Sequence, residues 1–146
     1  MRNVKKDPRH RAREAALQIL YQWEVGRSEV DRATETFFDH QWADAKPPED
    51  TLRQFAAGLA SETVKRLDEV DALIADAAEN WRPERMALID RLILRMAVCE
   101  LVRDKATPHA VVINEALELA RTFSTEDAVK FINGMLDGIR KNMEGR

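Results

Sequence analysis

Apolar residues recur along this chain at intervals of three and four, the period of helices that bury one side. Asp7-Pro8 pairs a capping residue with a proline suited to the first helical position. Ala12, Ala16, Ile19, Leu20 and Trp23 then form a stripe that runs to about Val25, where Gly26 stops it. His10, Arg13, Leu17 and Tyr21 fall on another face, with Tyr21 nearly opposite the stripe. Ser28 caps a second helix that turns Val30, Ala33, Phe37, Phe38 and Trp42 inward. It ends before Ala43–Asp50, where Lys46-Pro47-Pro48 marks a loop. Leu52, Phe55, Ala56, Leu59, Thr63 and Val64 begin a further stripe, and Leu67, Val70, Leu73, Ile74 and Ala77 continue it. No Gly or Pro interrupts the second half. The pattern therefore predicts one long helix from about Glu49 to Asn80, tying an N-terminal three-helix unit to a C-terminal one.

Trp81-Arg82-Pro83 restarts the chain, and Met86 to Val102 is apolar around most of its circumference, which marks a central buried helix. Glu100 lies within that apolar surface, so its carboxylate must be paired or hydrogen-bonded. Asp90, Arg91 and Arg95 fill the remaining polar strip, and Asp104 to Thr107 form a connection. Val111 to Ile139 then reads as two short helices joined by a polar corner. Pro108 suits the start of the first, and Ile113, Ala116, Leu117 and Ala120 are its stripe. Ser124, Thr125, Glu126 and Asp127 offer capping oxygens and negative charge to the second helix. That helix buries Ala128, Ile132, Met135, Leu136 and Ile139. Asp127, Lys130 and Gly134 lie opposite, with Phe131 near the edge. An acid, a cation and an aromatic beside a corner suit a binding surface; a solvated face with one half-buried ring is the other reading.

With 146 residues and 45% hydrophobic content, the chain fits one domain with one core, and its five Gly, five Pro and few β-branched runs speak against an all-β fold. No apolar run reaches the ~18 residues of a membrane span, and the charged N-terminus has no apolar signal segment. One cysteine, Cys99, excludes an internal disulfide and fits a reducing cytoplasm. Charge is unevenly placed. Arg2, Lys5, Lys6, Arg9, Arg11 and Arg13 face only Asp7 in the first thirteen residues, a balance of +5 in a chain whose total is −3, which leaves −8 for the rest. A basic arm on an acidic body suggests a localised polyanion contact, and a disordered solubilising tail is the alternative. Cations leading into a helix that displays Tyr21 provide what single-stranded nucleic acid needs, phosphate neutralisation and a ring for a base. Packing of Tyr21 on another helix or a second subunit is equally open. His10, His40 and His109 share no metal-ligand spacing, and there is no Gly-rich phosphate loop, Cys pair or nucleophile motif. A binding module is the better expectation than an enzyme, and no cofactor is expected.

Three blocks carry a resemblance to a known family: RHRAREAALQILYQWE, IDRLILRMAVCEL and INEALELARTFSTEDAVKFINGMLDGI. Together they resemble the NusB family of bacterial transcription antitermination factors, over essentially the whole chain. The resemblance implies an all-α double bundle of about seven helices. Residues 1–8 would be a flexible basic arm, about 9–66 an N-terminal sub-bundle and about 67–146 a C-terminal one. It also implies binding to the boxA element of ribosomal RNA transcripts together with NusE, a small-subunit ribosomal protein, in an RNA polymerase antitermination complex. The implied RNA contacts are Arg9, His10, Arg13, Tyr21, Glu84, Phe123, Asp127, Lys130 and Phe131. Arg9, Arg13 and Lys130 would meet phosphate, Tyr21, Phe123 and Phe131 would stack on bases, and Asp127 would accept from a base edge. Asp90 matches a position facing NusE. Two residues depart from the pattern: His10 replaces a third arginine, making that contact weak or pH-dependent, and Ser124 stands where Gly is common. The same domain also occurs fused to ribosomal RNA methyltransferases, which leaves an RNA-processing accessory role as an alternative. A self-associating dimer is another.

Overall fold

A computed structural model describes residues 8–41, 50–78 and 81–145. Among them are seven α-helices: α1 (Pro8–Gly26), α2 (Val30–Gln41), α3 (Asp50–Lys65), α4 (Leu67–Ala77), α5 (Leu88–Arg103), α6 (His109–Phe123) and α7 (Glu126–Glu144). A short 3-10 turn, Pro83–Arg85, precedes α5. The described residues contain no strand, and none of their helices is long and apolar enough to cross a membrane. The arm residues before Pro8, and Trp42 with the proline-marked loop, lie outside the described residues. The chain divides within α3 into two compact units, Met1–Ser61 and Glu62–Arg146.

In the first unit, α1 packs on α2. Alanines at 12, 15 and 16 are fully buried beside Ile19 and Leu20. Small side chains let neighbouring backbone approach, and this widens the buried face beyond the expected stripe. Leu17, Arg13 and His10, expected off the core, are all buried, while Trp23 is only partly so. From α2, Ala33, Phe37 and Phe38 point inward. The two phenyl rings meet edge to face at 5.2 Å, the geometry their quadrupoles favour. The Arg53 guanidinium lies 4.8 Å from the Phe38 ring centre, a cation–π contact.

The single helix expected from Glu49 to Asn80 is instead two. Arg66 departs from helical geometry at φ −99°, ψ 18°, although backbone bonds still run from Arg66 to Glu62 and from Val70 to Arg66. Its side chain sits between Glu62 and Glu69, at 3.6 and 3.5 Å. No Gly or Pro marks the break. It falls just after the point where the chain leaves one compact unit for the other, so packing rather than local propensity turns the chain there.

The second unit is built round α5, which meets α4, α6 and α7. Every residue from Leu92 to Leu101 is buried. That run includes Arg95 and Glu100. Arg95 forms a two-pronged bond to Asp71 of α4, Nε to Oδ1 at 2.8 Å and Nη2 to Oδ2 at 2.9 Å. Glu100 also has a polar partner, as a buried carboxylate must. Cys99 is a buried free thiol, and desolvation pushes its pKa up against the opposing pull of a hydrogen bond with Thr63. It is therefore a poor nucleophile. In α6 the buried side chains are Val112, Ala116, Leu119 and Ala120, a stripe turned by about one position from the one expected. Ile113 and Leu117 instead line an open groove against α7. In α7, Ala128, Val129, Ile132, Leu136 and Ile139 are buried, and Met135 is half-buried.

Candidate nucleic-acid interface

Large apolar side chains left in solvent are informative when they cluster with cations rather than stand alone. Among the described residues, the exposed aromatics are Tyr21 at 44%, Phe123 at 39% and Phe131 at 46%. The first belongs to one compact unit and the other two belong to the second.

On α1, Arg9 and Tyr21 are exposed, whereas His10 and Arg13 are not. The Arg9 and Arg13 guanidinium carbons lie 5.0 and 5.2 Å from the centre of the Phe55 ring, so both cations share one aromatic of α3. Arg13 is only 3% exposed, its stem packed and its head held against a π face. His10 Nε2 is 3.0 Å from Glu14 Oε1, one helical turn on. His10 is thus turned toward a carboxylate of its own helix.

The α6–α7 corner is short. Ser124 closes α6 through its N–H to the Ala120 carbonyl at 2.8 Å, and the Thr125 hydroxyl accepts from the Ala128 N–H at 3.0 Å to start α7. Glu126 and Asp127 occupy the first turn of α7, where backbone N–H groups favour negative charge. Phe123, Asp127, Lys130 and Phe131 are all exposed, while the next residues along the helix period enter the core. The ring, cation and acid expected on one side of the corner are open to solvent together.

Ser124 needs no glycine-like backbone: its φ of −136° is ordinary extended geometry. Its hydroxyl donates to Asp90 Oδ1 at 2.5 Å, fastening the corner to the first turn of α5. Asp90, expected to face a partner, therefore already has one intramolecular bond. Ser124→Ala should lower the unfolding free energy by about 1.5 kcal/mol, the lower end for a bond to a charged group because both residues are partly exposed. Urea denaturation should show this as a lower midpoint at constant slope. An unchanged midpoint would mean that the bond adds nothing to stability.

Two grooves lie among the described residues of the second unit. The larger, about 480 Å³, lies between α6 and α7 and includes His109, Asn114, Asn133 and Arg140. Its charges are matched internally. Arg140 bonds Asp137 at 3.0 Å and Glu144 at 2.9 Å, which lowers the Asp137 pKa and raises that of Arg140. His109 lies 3.8 Å from Glu144. The smaller groove, about 350 Å³, is walled by Trp81, Met86, Phe131 and Met135, with Arg82 and Arg85 beside them. Glu84 stands exposed on the same 3-10 turn. In the sequence Trp81 and Arg82 mark only where the chain restarts, and Arg85 carries no assignment. The available signal was a pair of arginines either side of Pro83-Glu84, directly after a tryptophan. No group of three or more His, Cys, Asp or Glu among the described residues could hold a metal ion.

Comparison with known proteins agrees with the helical architecture. Residues 10–141 match the model of the NusB family. The chain is 44% identical to the transcription antitermination protein NusB of Koribacter versatilis, over 97% of this chain and 94% of that one. Among solved structures, NusB of T. maritima is 33% identical with a TM-score of 0.82, covering 93% of this chain and 92% of the other. A chain in the crystal structure of a plectonemic RNA supercoil is 25% identical with a TM-score of 0.84, covering 94% and 97%.

Proposed function

Since this chain belongs to the NusB family, we propose that it is an RNA-binding transcription antitermination factor. On this reading it engages boxA RNA together with NusE so that RNA polymerase reads through terminators. It works in the cytoplasm by binding and catalyses no reaction. The carrying observation is the corner: two exposed rings, Phe123 and Phe131, accompany an exposed cation, Lys130, and an exposed acid, Asp127. Rings supply stacking surface and the cation supplies phosphate contact, while the acid can accept from a base amino group. A similar chain also occurs in a crystal structure of an RNA supercoil.

The α1 residues divide by accessibility. Arg9 and Tyr21 are placed to meet RNA directly, through phosphate and base respectively. Arg13 and His10, being buried, support that surface by holding Phe55 and Glu14, and reach RNA only if their side chains turn outward. Glu84 contributes a carboxylate at the margin of the corner unit.

The acidic body leaves only a small basic surface, so affinity for RNA alone is expected to be weak and to rise when NusE is added. Titration of labelled boxA RNA with and without NusE tests this. Equal affinities would leave a stand-alone RNA binder, and no binding under either condition would overturn the reading. Asp90→Asn keeps an acceptor for Ser124 while removing the charge, and Asp90→Lys reverses it. Both should weaken NusE recovery in a pull-down and leave RNA binding by the protein alone intact. Unchanged recovery with both variants would remove Asp90 from the partner surface.

A further inference from the structure

The α6–α7 corner is tied directly to another helix end. Ser124 closes α6 with its N–H on the Ala120 carbonyl, and its hydroxyl reaches Asp90 Oδ1 in the first turn of α5. Thr125, next in the chain, is the N-cap of α7, its side chain accepting from the Ala128 N–H. The Thr125 carbonyl also takes the Val129 N–H at 3.0 Å. Ser124 alone thus separates the end of the helix that carries Phe123 from the cap of the helix that carries Asp127, Lys130 and Phe131. Holding this residue in place holds the ends of both helices.

Asp90 uses only one of its carboxylate oxygens in that bond. Among the described residues Oδ2 takes no hydrogen bond or ion pair, and the residue is partly exposed. A second charged acceptor therefore remains for a cation from outside the chain. Ser124 is likewise partly exposed, so water competes for its hydroxyl. The bond thus has two states, made and exchanged for solvent. Carboxylate and hydroxyl hold one another only while both keep the rotamers that bring them together. Fixing either side chain from outside favours the bonded state.

We infer that Ser124 is a positioning residue that couples partner binding at Asp90 to RNA binding at the corner. The inference rests on the reading above, in which RNA meets the corner and NusE meets Asp90, and adds the route between the two surfaces. A partner cation on Oδ2 holds the Asp90 side chain, and Oδ1 then keeps the Ser124 hydroxyl. The corner is thereby set before RNA arrives. Linkage runs equally the other way: RNA that holds the corner holds Asp90 ready for the partner. A bond that only stabilised the fold would be the same in the free and the partner-bound protein, and would carry no coupling.

The test titrates labelled boxA RNA with and without saturating NusE, for the full-length wild type, Ser124→Ala and Ser124→Thr. The quantity read is the factor by which NusE raises RNA affinity. Ser124→Ala should cut that factor by about 2- to 10-fold, the range for losing one hydrogen bond. RNA affinity of the protein alone should stay close to wild type. Ser124→Thr keeps the hydroxyl, suits the extended backbone there, and should restore the factor. Titrating NusE with and without RNA should give the same reduction in Ser124→Ala, as linkage requires. All three proteins are compared well below their unfolding midpoints, so that the stability loss of Ser124→Ala does not enter. A factor unchanged in Ser124→Ala would overturn the coupling and leave the bond as a fold contact. Equal loss of RNA affinity with and without NusE would overturn it too, since the bond would then only shape the corner. So would a factor equally reduced in Ser124→Thr, which would trace the loss to shape rather than to the hydroxyl. Wild-type RNA affinity unchanged by NusE would overturn the coupling and leave a stand-alone RNA binder. Failure of the wild type to bind the RNA at all would overturn the parent reading as well.

Discussion

Asp71→Ala should lower the unfolding free energy by about 3 kcal/mol, because it strands the Arg95 guanidinium inside the second unit without its carboxylate. Arg95 is buried and spends two N–H donors on the two oxygens of Asp71. Asp71 itself keeps some solvent contact, which places the cost near the lower end of the range for a broken buried pair. For a chain of this length that corresponds to a loss of about 10 °C in the unfolding midpoint. The pair need not be stabilising relative to apolar replacements, since both ions are desolvated on folding. Asp71→Leu combined with Arg95→Met should therefore recover most of the loss. Calorimetry of the single and double variants separates the two effects. A single variant within about 1 kcal/mol of wild type would show that water reaches Arg95 freely.

Phe131→Ala should weaken boxA RNA binding by about 5- to 150-fold, the range expected for removing one base–aromatic stack. The same substitution should cost little stability, since the ring is nearly half exposed and leaves no enclosed cavity. A core phenylalanine would instead lose about 3–5 kcal/mol on truncation. Thermal unfolding and RNA titration on one protein preparation distinguish these outcomes. A large drop in stability, with unchanged affinity in the folded fraction, would make Phe131 a packing residue and remove it from recognition.

Helical class, the central burial of α5 and the corner between α6 and α7 could all be read from apolar spacing. Each depends on local periodicity over many residues, where the signal is strongest. The corner was legible for a further reason: Phe123 ends α6 and Phe131 lies off the buried stripe of α7, both near cations and acids. What spacing could not show was which core a stripe serves. Leu59, Thr63, Val70 and Ile74 keep a continuous period, yet the chain breaks at Arg66 as it passes between units. Small residues caused the misplacement on α1. A helical wheel weighs Ala12, Ala15 and Ala16 lightly, but they bring neighbours close enough to bury Arg13 and His10 on the flank. The Ser124–Asp90 bond spans 34 residues, and pairing at that distance leaves no periodic trace. The arginines of the smaller groove sit on a turn, where no stripe exists to mark them as outside it.

The unbroken burial of Leu92 to Leu101 also fixes how many residues that segment can contain. Each residue added to or removed from a helix turns everything beyond it by about 100°. A surface helix can absorb such a turn at one end by shifting its solvent face. Here there is no solvent face along the run, so a deletion between Arg95 and Glu100 could not keep Arg95 on Asp71 and leave Glu100 with its present surroundings. The count of positions in α5 is thus as constrained as their chemistry. Point substitutions of matched volume can be tolerated there, but a change of length would have to be answered by every helix packed against it.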